Sequence, residues 1–283
     1  MPIEQNGDKN QQRELDRLVK PFMLRRTKDK VAKELPEKEE IYQHVTMSED
    51  EKVVYEILRR KAEAMLLEEG GNRVSMNTLA EITRLRQCSC DIRLVEEGRD
   101  TFSNVAGSKI VALVELLQTI IEGFTTDRNG RMQGGALVFS QFTSYLALIR
   151  PALEAAGIPY LYIDGSLDIR TRQRLVEEFQ NGSCPVFLIS LKAGGLGLNL
   201  TRANYVIHTD PWWNPAIEAQ ATDRVHRIGQ RKAVTVYHLI AEGTIEEKIQ
   251  RLHERKQALA RDILESTDMS HKLTGEELLE MVR

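Results

Sequence analysis

The 283-residue chain is 41% hydrophobic and 29% charged, a balance that excludes a disordered chain and fits one large or two small domains around a sizeable core. A net charge of −3 excludes a whole-chain nucleic-acid signature, so any such surface must be a local patch. Cys88, Cys90 and Cys184 exclude a disulfide framework and give no zinc spacing, and no apolar run reaches bilayer length, so a reducing intracellular compartment (prokaryotic cytoplasm or nucleus) and no membrane partner are expected.

Residues 1–12 are polar, lack a period and read as a disordered lead. Residues 20–33 (KPFMLRRTKDKVAK) are basic and read as a solvated helix face. Leu35-Pro36 ends that pattern, and EIYQHVT (40–46) alternates as a strand. The serine and acids of SEDE (48–51) predict a helix start, with the helix running to Glu69 before Gly70-Gly71. A second helix is predicted over 76–96, with Leu79, Ile82, Leu85 and Val95 apolar. Residues 108–123 (SKIVALVELLQTIIEG) have a helical period behind a serine. A polar loop (125–135) leads to the strand ALVFS, which Ser140, Gln141 and Phe142 end. Helix 144–156 stops at Gly157, and the strand PYLYI, the turn DGS and helix 168–180 follow. Arg170, Arg172 and Arg174 alternate in that last helix and cannot all share one face.

VFLIS (186–190) is a short apolar run between Cys184-Pro185 and a glycine loop, and predicts a buried strand. In the loop, Gly194, Gly195 and Gly197 let a ligand approach the main chain. Residues 204–208 predict the next strand, 211–215 a turn and 216–228 a helix. Gln220, Arg224 and Arg227 fall at steps of four and three, so on a helix they share one face. Two arginines aimed one way suit a shared anion, phosphate first; a solvated basic face with Asp223 as a local ion pair is the alternative. His226 would point away from both arginines on that helix, as a packed or pairing side chain.

Residues 233–240 alternate as a strand, and a long helix is predicted from Gly243-Thr244 to about Leu264, with Leu252, Leu259 and Ile263 on one face. A short amphipathic helix over 274–282 closes the chain. Strands alternating with helices predict an α/β fold, a parallel sheet covered on both faces, with ligands at the carboxyl ends of its strands. The glycine loop, the DPWWNP turn and the Ser140-Gln141 end should then cluster at one edge.

AGGLGLNL, DPWWNP and QATDRVHRIGQ, in that order, resemble motifs five and six of helicase superfamily two in their Swi/Snf-type form. KPFMLRRTKDKVAKELPEK is similar to the segment leading out of that family's first lobe, the helices near 48–69 and 76–96 to its helical protrusion, and the helix after Gly243 to the helix bracing both lobes. Where many relatives have an Asn-His-Pro-like turn after LRQ, this chain has Cys88-Ser89-Cys90-Asp91. The resemblance implies a RecA-like second lobe over 106–243, preceded by a lead-in (1–34) and the protrusion (35–105), and followed by the brace and C-terminal helices (244–283).

It also implies roles. Arg224 and Arg227 become catalytic arginine fingers, and Gln220, Gly195 and Gly197 contact nucleotide. Ser140, Gln141, Gly165, Ser166, Lys192, Ala193, Gly194 and Trp213 line a double-stranded DNA track; for Trp213 a core position is the alternative, because Trp212 beside it must face elsewhere. The chain has no Gly-Lys-Thr or Gly-Lys-Ser loop and no Asp-Glu-x-His; Gly107-Ser108-Lys109 has the wrong order. ATP and Mg2+ would therefore be held mainly by a first RecA-like lobe, the partner of this one, and none bound tightly here. Other readings are a catalytically silent nucleic-acid-binding or scaffold domain, and a Rossmann-like nucleotide binder, against which RIGQ argues.

Overall fold

The computed structural model describes residues 34–68, 75–99, 106–194, 198–262 and 275–283. Eight strands are described among them: β1 (Lys38–Val45), β2 (Thr125–Thr126), β3 (Met132–Gln133), β4 (Ala136–Ser140), β5 (Tyr160–Ile163), β6 (Val186–Ser190), β7 (Tyr205–His208) and β8 (Val234–Ala241). Six of them form one sheet in the order β1-β8-β7-β4-β6-β5, with every pairing parallel. The α/β expectation of a parallel sheet is met. The polar loop at 125–135 contains the antiparallel pair β2–β3.

Alternation along the strands supplies two cores. Ala136 and Val138 of β4 and Val186 and Leu188 of β6 face one layer. That layer is α4 (Ser108–Glu122) and α5 (Thr143–Ala155), through Leu113, Leu117, Tyr145 and Ile149. The intervening Leu137, Phe139, Phe187 and Ile189 face the other layer, where α6 (Ile169–Gln180) places Phe179 and the chain after β7 places Ala221 and Val225. These strands read as continuous apolar runs because both faces are covered.

A third core joins α1 (Glu49–Glu68) and α2 (Met76–Cys90) to α9 (Ile245–Asp262) and α10 (Gly275–Val282), through Leu58, Ile82, Ile249, Leu278 and Met281. Ser48 and Glu51 start α1 reciprocally, each side chain accepting from the other's amide at 3.3 and 2.8 Å. Helix α10 thus packs on α1, where Arg59 donates to the Val282 carbonyl at 3.2 Å. Two predictions are modified. β1 opens the 35–105 stretch but is an edge strand of the sheet, paired along β8. The helix predicted over 76–96 ends at Cys90, because buried Asp91 turns out of it and caps a 3-10 turn (Ile92–Leu94) by accepting from Arg93 N at 3.0 Å. A short α3 (Glu96–Arg99) follows. Residues 1–33, and the side chains of Leu259 and Ile263, lie outside the described residues.

Candidate functional site

Four loops leave the carboxyl ends of four neighbouring strands, β7, β4, β6 and β5. The register pairs Phe139 with His208, Ser140 with Ser190 and Ile163 with Ile189, so these ends are level. They carry, in spatial order, the Trp212-Trp213 turn, Gln141, the one-turn helix α7 (Leu191–Gly194) with Lys192, and Gly165-Ser166. Three strand spacings make this row roughly 15 Å wide. Among the described residues, the DPWWNP turn, the Ser140-Gln141 end and the start of the glycine loop lie at one edge, as expected.

The side chains divide into surface and support. Lys192, Gly165 and Ser166 are exposed. Ser166 N and Oγ both donate to Asp164, at 2.9 and 2.6 Å, and Arg172 donates to the Gly165 carbonyl at 2.9 Å, which shapes that turn. Gln141 is half-buried; its amide donates to Asp210 Oδ2 at 3.1 Å and its Nε2 has no partner. Ser140 and Ala193 are buried, unlike surface contacts: Ser140 Oγ accepts from Phe142 N at 3.0 Å, and Ala193 N donates to Ser190 Oγ at 3.3 Å. Both shape turns behind the edge. Trp213 is half-buried and packs against the core built by α1, α2, α9 and α10, close to the core position given as the alternative for it. Gly194 ends α7; Gly195 and Gly197 lie outside the described residues.

The helix carrying Gln220 differs from expectation. α8 (Pro215–Thr222) starts at Asn214, whose Oδ1 accepts from Ala216 N at 3.0 Å with Pro215 in the first turn, and it stops at Thr222. Arg224 and Arg227 therefore lie in successive turns, and the shared helical face predicted for Gln220, Arg224 and Arg227 is absent. Tertiary bonds displace the helical ladder. Leu200 N donates to the Arg224 carbonyl at 3.2 Å, and Thr222 Oγ1 lies 3.0 Å from His208 Nε2. Thr222 and Asp223 are weak helix formers that offer little resistance. Gly229, at φ +102, and Gln230 close the segment; Gln230 Nε2 donates to the Thr201 and Ala203 carbonyls at 3.1 and 2.8 Å. His226 pairs as expected, with Nε2 2.8 Å from the Pro36 carbonyl, although from a turn. Among the described residues neither Arg224 nor Arg227 is in an ion pair, and Arg224 Nε is buried without a partner.

Beneath the edge lies a buried titratable cluster that sequence reasoning missed. Burial pushes the Glu218 carboxyl up to about 8. Burial holds His238 down at about 4 and His208 well below the usual histidine value. Glu218 Oε1 accepts from Trp212 N at 2.5 Å, and its Oε2 lies 3.6 Å from His238 Nδ1. With the carboxyl protonated and the ring neutral, that approach is a contact between uncharged groups. The two histidine rings stack at 5.1 Å, which favours the neutral forms of both. Glu218 follows the DPWWNP turn, but nothing in its spacing signals burial.

Among the described residues no group of His, Cys, Asp and Glu could hold a metal ion, and no helix is long and apolar enough to cross a membrane. Residues 108–229 match the helicase conserved C-terminal domain and residues 1–94 the SNF2-related domain. A crystal structure of the C-terminal part of the Fun30 ATPase domain superposes with a TM-score of 0.63 at 25% identity, covering 88% of this chain and 98% of that one. The chain belongs to the Swi/Snf-type family of helicase superfamily two. Its RecA-like sheet is the C-terminal lobe of that Swi/Snf-type fold. The Swi/Snf-type ATPase core of Sulfolobus solfataricus, solved in complex with dsDNA, aligns over 99% of this chain and 57% of its own, at 28% identity and a TM-score of 0.65. YwqA of Bacillus subtilis, by name an ATP-dependent helicase/translocase, is 38% identical over 99% of this chain. This chain spans 30% of that relative's length.

Proposed function

We propose that this chain is the second ATPase lobe of a Swi/Snf-type translocase that moves on double-stranded DNA. The observation that carries the reading is the alignment of nearly the whole chain with an ATPase core solved on dsDNA. The edge formed by Gln141, Lys192, Gly165, Ser166 and Trp213 takes the duplex; Ser140, Ala193 and Gly194 shape it. Backbone amides and one lysine suit phosphates better than bases, so binding is independent of sequence. ATP is the substrate, bound mainly by a first RecA-like lobe, and duplex closes this lobe onto it. Gln220, Gly195 and Gly197 contact the nucleotide. Arg224 and Arg227 meet the charge that builds on the γ-phosphate oxygens. The magnesium ligands belong to the first lobe with the phosphate cradle. The compartment is intracellular.

Duplex binding against salt tests the edge. Lys192→Ala lowers affinity and makes the salt slope shallower by about one unit, as loss of one phosphate contact does. Trp213→Ala lowers affinity with little change in slope. Unchanged affinity and slope in both variants would remove duplex from this edge and favour a nucleic-acid-independent scaffold.

A further inference from the structure

Arg86 lies on α2, in the protrusion, yet its guanidinium sits among residues of the lobe. It is 4% exposed. Nη2 donates to the Pro211 carbonyl at 2.6 Å. The guanidinium carbon lies 4.8 Å from the Trp213 ring centre, 5.3 Å from Trp212 and 5.6 Å from Phe142. Among the described residues it is in no ion pair. A guanidinium buried without a contacting carboxylate costs stability unless something else receives its charge. Here one carbonyl and three aromatic faces receive it, and Asp210 is the largest of the charges that favour it.

We propose that Arg86 is a positioning residue: it holds the Trp212-Trp213 turn and the adjoining Gln141-Phe142 turn in the arrangement that receives duplex DNA, and so joins the protrusion to the DNA edge. The proposal rests on the reading that this edge takes duplex. Both turns are within reach of the one side chain. Phe142 is the neighbour of Gln141, whose amide is held by Asp210; Asp210 in turn precedes the Pro211 carbonyl that Arg86 grips. The main chain of the turn has other tethers. His253 Nε2 of α9 lies 2.6 Å from the Trp212 carbonyl, and Glu218 accepts from Trp212 N. Loss of Arg86 therefore releases the rings while leaving the turn anchored. Lysine keeps the charge but has no plane to lie against rings and no fork of donors.

The chain's two tryptophans both lie against Arg86, so its selectively excited tryptophan emission reports on this place. The experiment uses the whole 283-residue chain, a short labelled duplex of mixed sequence, far-UV circular dichroism, thermal unfolding and tryptophan emission. Arg86→Lys, folded as judged by dichroism, shifts the emission and raises the duplex Kd about tenfold. Phe142→Leu removes one ring without changing charge; it raises Kd about threefold and decides the question alone if Arg86→Lys does not fold. Wild-type binding with unchanged Kd in the folded variants, whatever the emission does, overturns the positioning role and leaves the DNA reading standing. A wild-type chain that fails to bind the duplex at any concentration overturns both.

Discussion

Arg227 and Arg224 sit in turns, and that changes what substituting them does. The Arg224 main-chain carbonyl holds Leu200 N, and the Arg227 carbonyl accepts from Gln230 N at 2.9 Å. Alanine keeps both bonds, so either variant should unfold close to the wild-type temperature. In a full-length enzyme, Arg227→Ala should abolish DNA-stimulated ATP turnover while ATP and DNA binding persist, a loss on the order of 10³–10⁵ for an arginine finger. Arg224→Ala should do the same less completely, and lysine should rescue neither, because a point charge lacks the fork. Near-normal turnover in both folded alanine variants would reduce them to a solvated face. Their presence was legible in RVHRIGQ; their geometry was not, since the bond from Leu200 that ends the helix comes from 24 residues earlier in the chain. Glu218 was illegible for the same reason, as only the fold buries it, and it gives a pH prediction. Its folded pKa of about 8 stands above the ordinary 4.5, so the folded state keeps a proton that the unfolded chain loses, and stability falls as pH rises between those values. His238, depressed from 6.5 to about 4, acts in the opposite sense, adding stability as pH rises between 4 and 6.5. His208, also depressed, acts likewise. Above pH 6.5 the two histidines no longer oppose the Glu218 effect, and Glu246, which burial also raises, acts in the same sense. Chemical denaturation should show a loss of roughly 1–2 kcal/mol from pH 6.5 to 8 that Glu218→Gln flattens. A profile just as steep in Glu218→Gln would place the titration elsewhere.

At the scale of elements, the strands and helices were legible because burial on both faces writes itself as apolar runs and helical periods. VFLIS and ALVFS needed only their neighbours' spacing. The third core was less legible, since it draws on α1, α2, α9 and α10 from distant parts of the chain. One buried ion pair fastens the start of α4 to α9. Lys109 Nζ donates to Glu246 Oε2 at 2.5 Å and to the Thr209 carbonyl at 3.0 Å, with both side chains almost wholly buried. Glu246 Oε2 also accepts from Ala241 N at 2.9 Å, and burial raises its pKa despite the lysine. Lys109→Met should cost about 3–5 kcal/mol by leaving the carboxylate uncompensated. Lys109→Met with Glu246→Leu should recover much of that loss in equilibrium denaturation, because an apolar pair of similar volume replaces the ions. Additive losses in the double variant would show that each side chain acts through its own packing.

At the scale of the molecule, the three cores close without a further lobe. Leu113, Phe187 and Leu58 anchor them with essentially no exposure, and the parallel sheet is continuous from β1 to β5. The chain should therefore fold cooperatively by itself. Its chemistry should not be complete. Arginines meet charge developing on a phosphate, but a phosphoryl transfer also needs a cradle for the β- and γ-phosphates and carboxylate for magnesium. The sequence carries neither motif. The purified chain should thus show no ATP turnover above background with or without duplex DNA, while the same lobe joined to a first lobe should show turnover that duplex raises. The comparison distinguishes half an enzyme from a silent scaffold, since a scaffold stays inactive in both forms. Turnover by the chain alone, persisting through repurification and lost in Arg227→Ala, would mean that this lobe holds its own phosphate cradle and would overturn the division of labour proposed here.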